Sequence, residues 1–315
     1  MAIKKYDVLS LGATYLDINS TNFPFGNGLR PETETIGREY EIALGGSAVT
    51  LARISSLLGL KAVFIGKIGK DTAGELITKL MHEKGIFADF IRSGSVQTNL
   101  GLNFVDPTGK TLMTGVGSAN GSLTGEEMYD KVAEHLPQVK YLYLGGYFKL
   151  RTLLPFYTRL IEEAHKHTVQ IILDHGRITN QVTEKDKDAL RERVALVDFY
   201  LPSEEEFCTL WGSDLDEAIL NCLARTSARI VIKRAEKGSI GLFGLERHDV
   251  GGFLVKPMNT VGAGDSFNAG FLTAHIQGKL FRDCLVYANA TAALKISNQP
   301  VTQENIDQLT ATKKV

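Results

Sequence analysis

The sequence predicts an α/β fold: a mostly parallel central sheet between two layers of helices, with a small extended lid attached. Three observations predict it. Apolar runs rich in β-branched and aromatic residues recur along the chain. Stretches whose apolar residues fall at helical spacing separate many of them. Two irregular segments interrupt this alternation in the N-terminal half.

Strands are predicted at Tyr6 to Leu11, Ala62 to Ile68, Gly101 to Val105, Tyr141 to Leu144, Val169 to Leu173, Phe199 to Leu201 and Arg229 to Ile232. Helical spacing is clear at Leu76, Ile77, Leu80 and Met81, and again at Leu153, Tyr157, Leu160, Ile161 and Ala164. A helix after a strand returns the chain to the end of the sheet where that strand began, so alternation implies parallel neighbours. The first irregular segment, near 19–44, is polar and carries two prolines, three glycines and short extended pieces such as Glu39 to Ala43. The second, near 91–114, contains TNLGLNFVDPTGKTLMTG, which reads as a hairpin turning at Asp106-Pro107-Thr108-Gly109. The two excursions together are expected to pair into the lid. The chain shows no internal repeat, low-complexity tract or flexible linker, so residues 1–315 are expected to form one domain.

Composition narrows the function. The chain is 43% hydrophobic and 23% charged, the balance of a protein that buries a core. Lys and Arg number 35 against 36 Asp and Glu, so no excess basic charge recruits a nucleic acid or an anionic membrane. The N-terminal MAIKKYDVLSLG has only a short apolar run, and no stretch reaches the 18 apolar residues or so of a membrane span. Cys208, Cys222 and Cys284 are odd in number and lack metal or redox spacing, so they are expected to be packed thiols in a reducing cytoplasm.

The chemistry is concentrated in Asn259-Thr260-Val261-Gly262-Ala263-Gly264-Asp265-Ser266-Phe267-Asn268-Ala269-Gly270-Phe271. This stretch follows an extended run ending at Pro257 and opens a helix whose buried face carries Phe267, Phe271 and Ala274. Gly262, Ala263 and Gly264 leave their amides unshielded, and with the positive end of the helix dipole they form a pocket for an anion. A carboxylate inside an anion pocket repels a phosphate, so Asp265 needs a task. Accepting the proton of an attacking hydroxyl is one, while the amides hold a transferred phosphoryl group. The helix dipole is expected to lower the Asp265 pKa. A plainer alternative is a helix start with glycines for close packing and an acid for the dipole. A second element, Leu44-Gly45-Gly46-Ser47-Ala48-Val49-Thr50-Leu51-Ala52, also leads into a helix, with Ala52, Leu57 and Leu58 continuing an apolar face. It fits neither GxGxxG nor GxxxxGK[ST].

In this order the two elements resemble the paired signatures of the ribokinase-like (PfkB) carbohydrate kinases. Further matches are Gly12 to Asp17, Gly66 to Gly74, Gly117 to Asn120, Asp174 with Arg177, Pro202 to Glu206, and Lys233 through Gly238. The resemblance implies a ribokinase-like fold, ATP with Mg²⁺, and in many members a response to potassium. It makes Asp265 the base and the Gly262, Ala263 and Gly264 amides the anion hole. Asp17, Gly45, Gly46 and Thr50 would face the sugar. Lys233, Gly238 and Asn289 would lie toward the nucleotide, and Glu206 would serve the metal. Lids of the family often pair between subunits, which implies a homodimer. Several positions depart from the pattern: Thr50, Gly176 and Ser203 stand where the family often has Asn, Asn259 where it has the Asp linked to a monovalent cation, and Ala235 where it has Gly.

Other residues admit plainer roles. Glu204 and Glu205 could complement a helix dipole on a solvated face, Asp174-His175 lacks a further metal ligand at recognisable spacing, Arg177 could meet a phosphate or a nearby acid, and Trp211 reads as packing. The expected function is ATP-dependent phosphorylation of a hydroxyl on a small sugar-like substrate. The alternatives are a nucleoside acceptor, with Phe23, Phe25 or Phe104 as an apolar wall, and a catalytically silent binding protein.

Overall fold

A computed structural model describes residues 4–24, 34–108 and 110–312. Phe25, Gly109 and part of the first irregular segment, 25–33, lie outside the described residues. In chain order the strands are β1 Tyr6–Leu11, β2 Tyr15–Ser20, β3 Glu41–Gly45, β4 Ala62–Ile65, β5 Lys67–Gly69, β6 Phe87–Ala88, β7 Ile91–Ser93, β8 Leu100–Val105, β9 Thr111–Val116, β10 Val139–Gly145, β11 Gln170–Asp174, β12 Phe199–Tyr200, β13 Arg229–Lys233, β14 Ser239–Phe243 and β15 Glu246–Val250. The α-helices are α1 Ser47–Leu57, α2 Thr72–Glu83, α3 Gly125–His135, α4 Tyr157–Lys166, α5 Glu184–Val194, α6 Glu204–Trp211, α7 Leu215–Leu223, α8 Ala263–Ile276, α9 Phe281–Ile296 and α10 Gln303–Ala311.

The large sheet runs β15-β14-β13-β12-β11-β10-β1-β4-β6, parallel from β13 to β6 with β14 and β15 antiparallel at one edge. Its strands are apolar on both faces, and the strand period of two sends neighbours to opposite layers. Leu9, Val63, Leu142, Ile171 and Ile230 pack into the core under α3 to α7. Val8, Phe64, Tyr143, Ile172 and Val231 pack into the core under α1, α2, α8, α9 and α10. The strand order reverses direction at β1 and β10, where the carboxyl ends of parallel strands leave a crevice.

A separate four-stranded sheet, β3-β2-β8-β9, stands beside that end. It draws on both irregular segments but begins at Tyr15, ahead of the expected boundary, while Ile91–Ser93 pairs with β5 in a ribbon of its own. Asp106 organises the β8–β9 turn by accepting from the Thr108 and Lys110 amides at 2.8 and 2.9 Å. The run expected as one strand over 62–68 breaks at Gly66, after which β5 leaves the large sheet. β2, β6, β14 and β15 were not foreseen: YLDINS of β2 and ERHDV of β15 carry too many polar residues to read as apolar runs, β6 has only two residues, and SIGLF of β14 is a short apolar run missing from the predicted strands. Leu57, expected on the buried face of α1, is exposed, because its five-residue step from Ala52 turns it well away from that face. Phe267, Phe271 and Ala274 are buried on α8 as expected.

Candidate active site

The two glycine-rich elements meet. Gly46 caps the N-terminus of α1 at φ +111° and Gly262 caps that of α8 at φ +75°, conformations in which a side chain would be strained. A methyl group on Gly262 would come within 3.3 Å of Thr50, and Ser47 donates a hydrogen bond to the Asp265 carboxylate. Two helix N-termini thus converge on Asp265, and both dipoles favour negative charge there.

The amides at α8 are arranged differently from the sequence expectation. Ala263 N–H closes a turn on Thr260 O at 3.2 Å. The amides of Gly262, Gly264 and Asp265 itself have no acceptor among the described residues. These three, rather than 262 to 264, are the orphan donors of the first turn. Asn259 accepts from Val261 N–H at 2.9 Å, so its side chain shapes the loop that leads into them.

Burial raises the Asp265 pKa to about 7, with the Asp174 charge adding to the rise; Lys233 and the Ser47 hydrogen bond oppose it, and Glu206 adds a smaller upward push. The expectation that the helix dipole lowers this pKa is therefore corrected: desolvation outweighs it, although the carboxylate remains partly accessible from the crevice. Asp17 projects from β2 between Gly45 and Gly101 on the flanking strands, and a Cβ at either glycine would collide with its carboxylate. Burial raises its pKa to about 6, against a hydrogen bond from Asn103. The Gly117 to Asn120 match serves this strand, since Asn120 bonds both the amide and the carbonyl of Thr14 at 3.1 and 3.0 Å. In the Gly66 to Gly74 match, Asp71 caps α2 by accepting from Gly74 N–H at 2.8 Å and also holds Thr98.

Lys233 turns inward. Its ammonium lies 2.6 Å from Asp174 Oδ2; Asp174 is buried and the Lys233 side chain nearly so. Burial alone would raise the Asp174 pKa and lower that of Lys233, but their mutual attraction wins, holding Asp174 low and Lys233 high. His175 is buried beside them with Nδ1 2.6 Å from Gly176 O, and burial lowers its pKa despite Glu206 and Asp174. Glu206 and Ser203 form a capping box at α6. Glu204, expected on a solvated face, pairs with Arg234 at 2.8 Å. Arg177 is exposed, and Trp211 packs with its indole N–H 3.4 Å from Tyr200 Oη. Asn289 is buried and bonds Ser239 Oγ at 3.0 Å and Val250 O at 3.4 Å, next to Gly238, which packs against the Val250 carbonyl. A cavity of about 470 Å³ opens there, lined by Asp249, Val250, Lys279, Val286 and Tyr287 among others. Ala235 adopts φ +50°, which explains why glycine suits this position. Phe23 is buried with its ring 4.4 Å from that of Phe104. Cys222 and Cys284 are buried and Cys208 partly so, and burial raises all three thiols.

No cluster of three His, Asp or Glu ligands surrounds Asp265 among the described residues. The one such cluster, Asp89, Glu134 and His135, already holds the Lys131 ammonium at 2.9 Å from Asp89. One nearby carboxylate, Glu206, suits Mg²⁺, which takes one or two carboxylates and completes its shell from phosphates and water. No described helix is long and apolar enough to cross a membrane.

A doubly covered parallel sheet with a side sheet, and two helix N-termini facing a carboxylate at the strand ends, define a ribokinase-like protein. The solved structure titled as a putative ribokinase II from E. coli superposes with a TM-score of 0.83 at 17% identity, covering 98% of this chain and 99% of that one. Residues 5–307 match the model of the pfkB family carbohydrate kinases, and the chain belongs to that family. It is therefore a kinase with an alcohol acceptor. A 5-dehydro-2-deoxygluconokinase of Lacticaseibacillus casei is 27% identical over 98% of this chain and 95% of its own length. An ATP-dependent 6-phosphofructokinase of Thermoanaerobacterium thermosaccharolyticum is 25% identical over 93% and 88%.

Proposed function

We propose that the chain transfers the γ-phosphoryl group of ATP to a hydroxyl of a small sugar or sugar-like molecule, with Asp265 as general base. The observation that carries this is the convergence of the α1 and α8 N-termini on a carboxylate whose pKa is near 7. A base poised there is about half ionised at neutral pH and basic enough to draw a proton from an alcohol. The Gly262, Gly264 and Asp265 amides stabilise charge on the phosphoryl group. Asp17, seated between two glycines, orients the acceptor together with Gly45, Gly46 and Thr50. The small sheet acts as the lid of one domain spanning 1–315, built on segments near 19–44 and 91–114. Gly238, Asn289 and the adjoining cavity receive the nucleoside end of ATP, while Lys233 supports α8 from within. Bound Mg²⁺ would neutralise charge on the β- and γ-phosphates, and Glu206 would serve it with the carboxylate oxygen that does not cap α6.

ADP release measured across a panel of sugars, sugar acids and nucleosides tests the reaction. Turnover with one polyol is expected, and none with any acceptor would overturn it. With that acceptor, kcat/KM should fall about tenfold per pH unit below about 7, because protonation removes the base. A flat profile down to pH 5 would exclude Asp265 as the titrating base. Gly101→Ala should displace the Asp17 carboxylate and raise the acceptor KM by about tenfold or more, the worth of one hydrogen bond to a charged group. The KM for ATP should stay the same. The small sheet also leaves Ile42 and Val116 exposed on one face, which suits pairing with a second copy, and light scattering should give the mass of a dimer.

A further inference from the structure

Three strands send one side chain each from their carboxyl-terminal portions beneath the first turns of α8. Tyr143 comes from β10, Asp174 from β11 and Lys233 from β13. All three meet Asn268, whose Nδ2 lies 3.1 Å from Tyr143 Oη and 2.5 Å from Asp174 Oδ2, and whose Oδ1 lies 3.4 Å from Lys233 Nζ. Asn268 sits one helical turn after Asp265, on the same side of α8. A methyl group on Gly264 would approach Lys233 Nζ to 3.5 Å, so the ammonium also lies against the glycine that offers its amide.

Besides the Ser47 bond to Asp265 and Ser266 Oγ donating to Gly262 O at 2.8 Å, the start of α8 has few side-chain anchors of its own. Gly262, Ala263 and Gly264 bring almost no side-chain surface, and the helix has no side-chain cap. Such a turn frays readily. Burying a charged pair is also poor value for stability alone, since a hydrophobic pair of similar volume serves equally well. We propose that Tyr143, Asn268, Asp174 and Lys233 form a positioning chain that fixes the first turn of α8 against the sheet, and with it the Asp265 carboxylate and the neighbouring amides. The four residues touch no substrate and act through the helix. The inference rests on Asp265 being the base, but its physical claim concerns the free protein and can be measured there.

Two variants test it. Asn268→Ala should lower kcat by about 100-fold, the cost of a misplacement near 1 Å, while changing the KM for ATP by less than about threefold. Hydrogen exchange on the free protein should show amides 264–268 exchanging at least about tenfold faster, with those of β10 and β11 unchanged. Tyr143→Phe removes one link and should act in the same direction, lowering kcat by about threefold to tenfold. The proposal is overturned if Asn268→Ala folds with wild-type kcat and exchange, or if its exchange rises equally throughout the sheet. Should Asn268→Ala fail to fold, Tyr143→Phe decides: wild-type kcat and exchange in it would sink the proposal. If Asp265→Asn keeps full activity, the assignment of the base fails instead, and the exchange comparison still judges the positioning chain.

Discussion

Asp265→Asn is expected to lower kcat by about 10²- to 10⁴-fold, the usual contribution of a positioned general base, with the affinity for ATP nearly unchanged. Asparagine keeps the shape and a hydrogen-bonding oxygen for Ser47, so the first turn of α8 should keep its geometry. What disappears is the proposed acceptor of the proton. Stability separates this loss from damage to the fold. A carboxyl group whose folded pKa is raised to about 7 binds its proton more tightly in the native than in the unfolded chain. It therefore destabilises the native state progressively as pH rises from about 4 to 7, by at most about 4 kcal/mol, and less because the group keeps contact with water. The variant should consequently melt no lower than wild type at pH 8. A dead but strongly destabilised variant would point to a structural role for the carboxylate.

Lys233→Met is expected to cost about 3–5 kcal/mol, because it strands the buried Asp174 carboxylate without its counter-charge. For a chain of this size the melting temperature should fall on the order of 10 °C. The double variant Asp174→Asn/Lys233→Met should recover much of the loss, since removing both charges leaves no unpaired ion. Asp174 is held below its ordinary pKa, so its share of the stability is present above about pH 4 and is lost as pH falls through the lower folded value. Lys233 is held above its own, so its share is present below about pH 10 and is lost as pH rises through the higher folded value. Thermal denaturation at pH 7 checks the ladder, and a single variant within about 1 kcal/mol of wild type would refute the pairing's weight.

The fold class was legible because doubly buried parallel strands must be apolar on both faces, and runs such as VLSL, AVFI and QIILD can be little else. Strands with one wet face hid better. β2 interleaves Asp17 and Asn19 with Leu16 and Ile18, and only its pairing to β3 and β8 declares it a strand.

What the sequence determined by itself was local: the alternation of strand and helix, the glycines that open α1 and α8, and Asp265 as the carboxylate among them. Periodicity and helix-start chemistry act over a few residues, so one chain segment suffices to read them. The tertiary structure alone decided that the Asp265 carboxyl has its pKa raised rather than lowered, that Lys233 pairs with Asp174, and that Ala263's amide closes a turn while Asp265's own finds no acceptor among the described residues. Desolvation and through-space charge depend on groups brought from β10, β11, β13 and α1, whose positions along the chain carry no sign of their meeting.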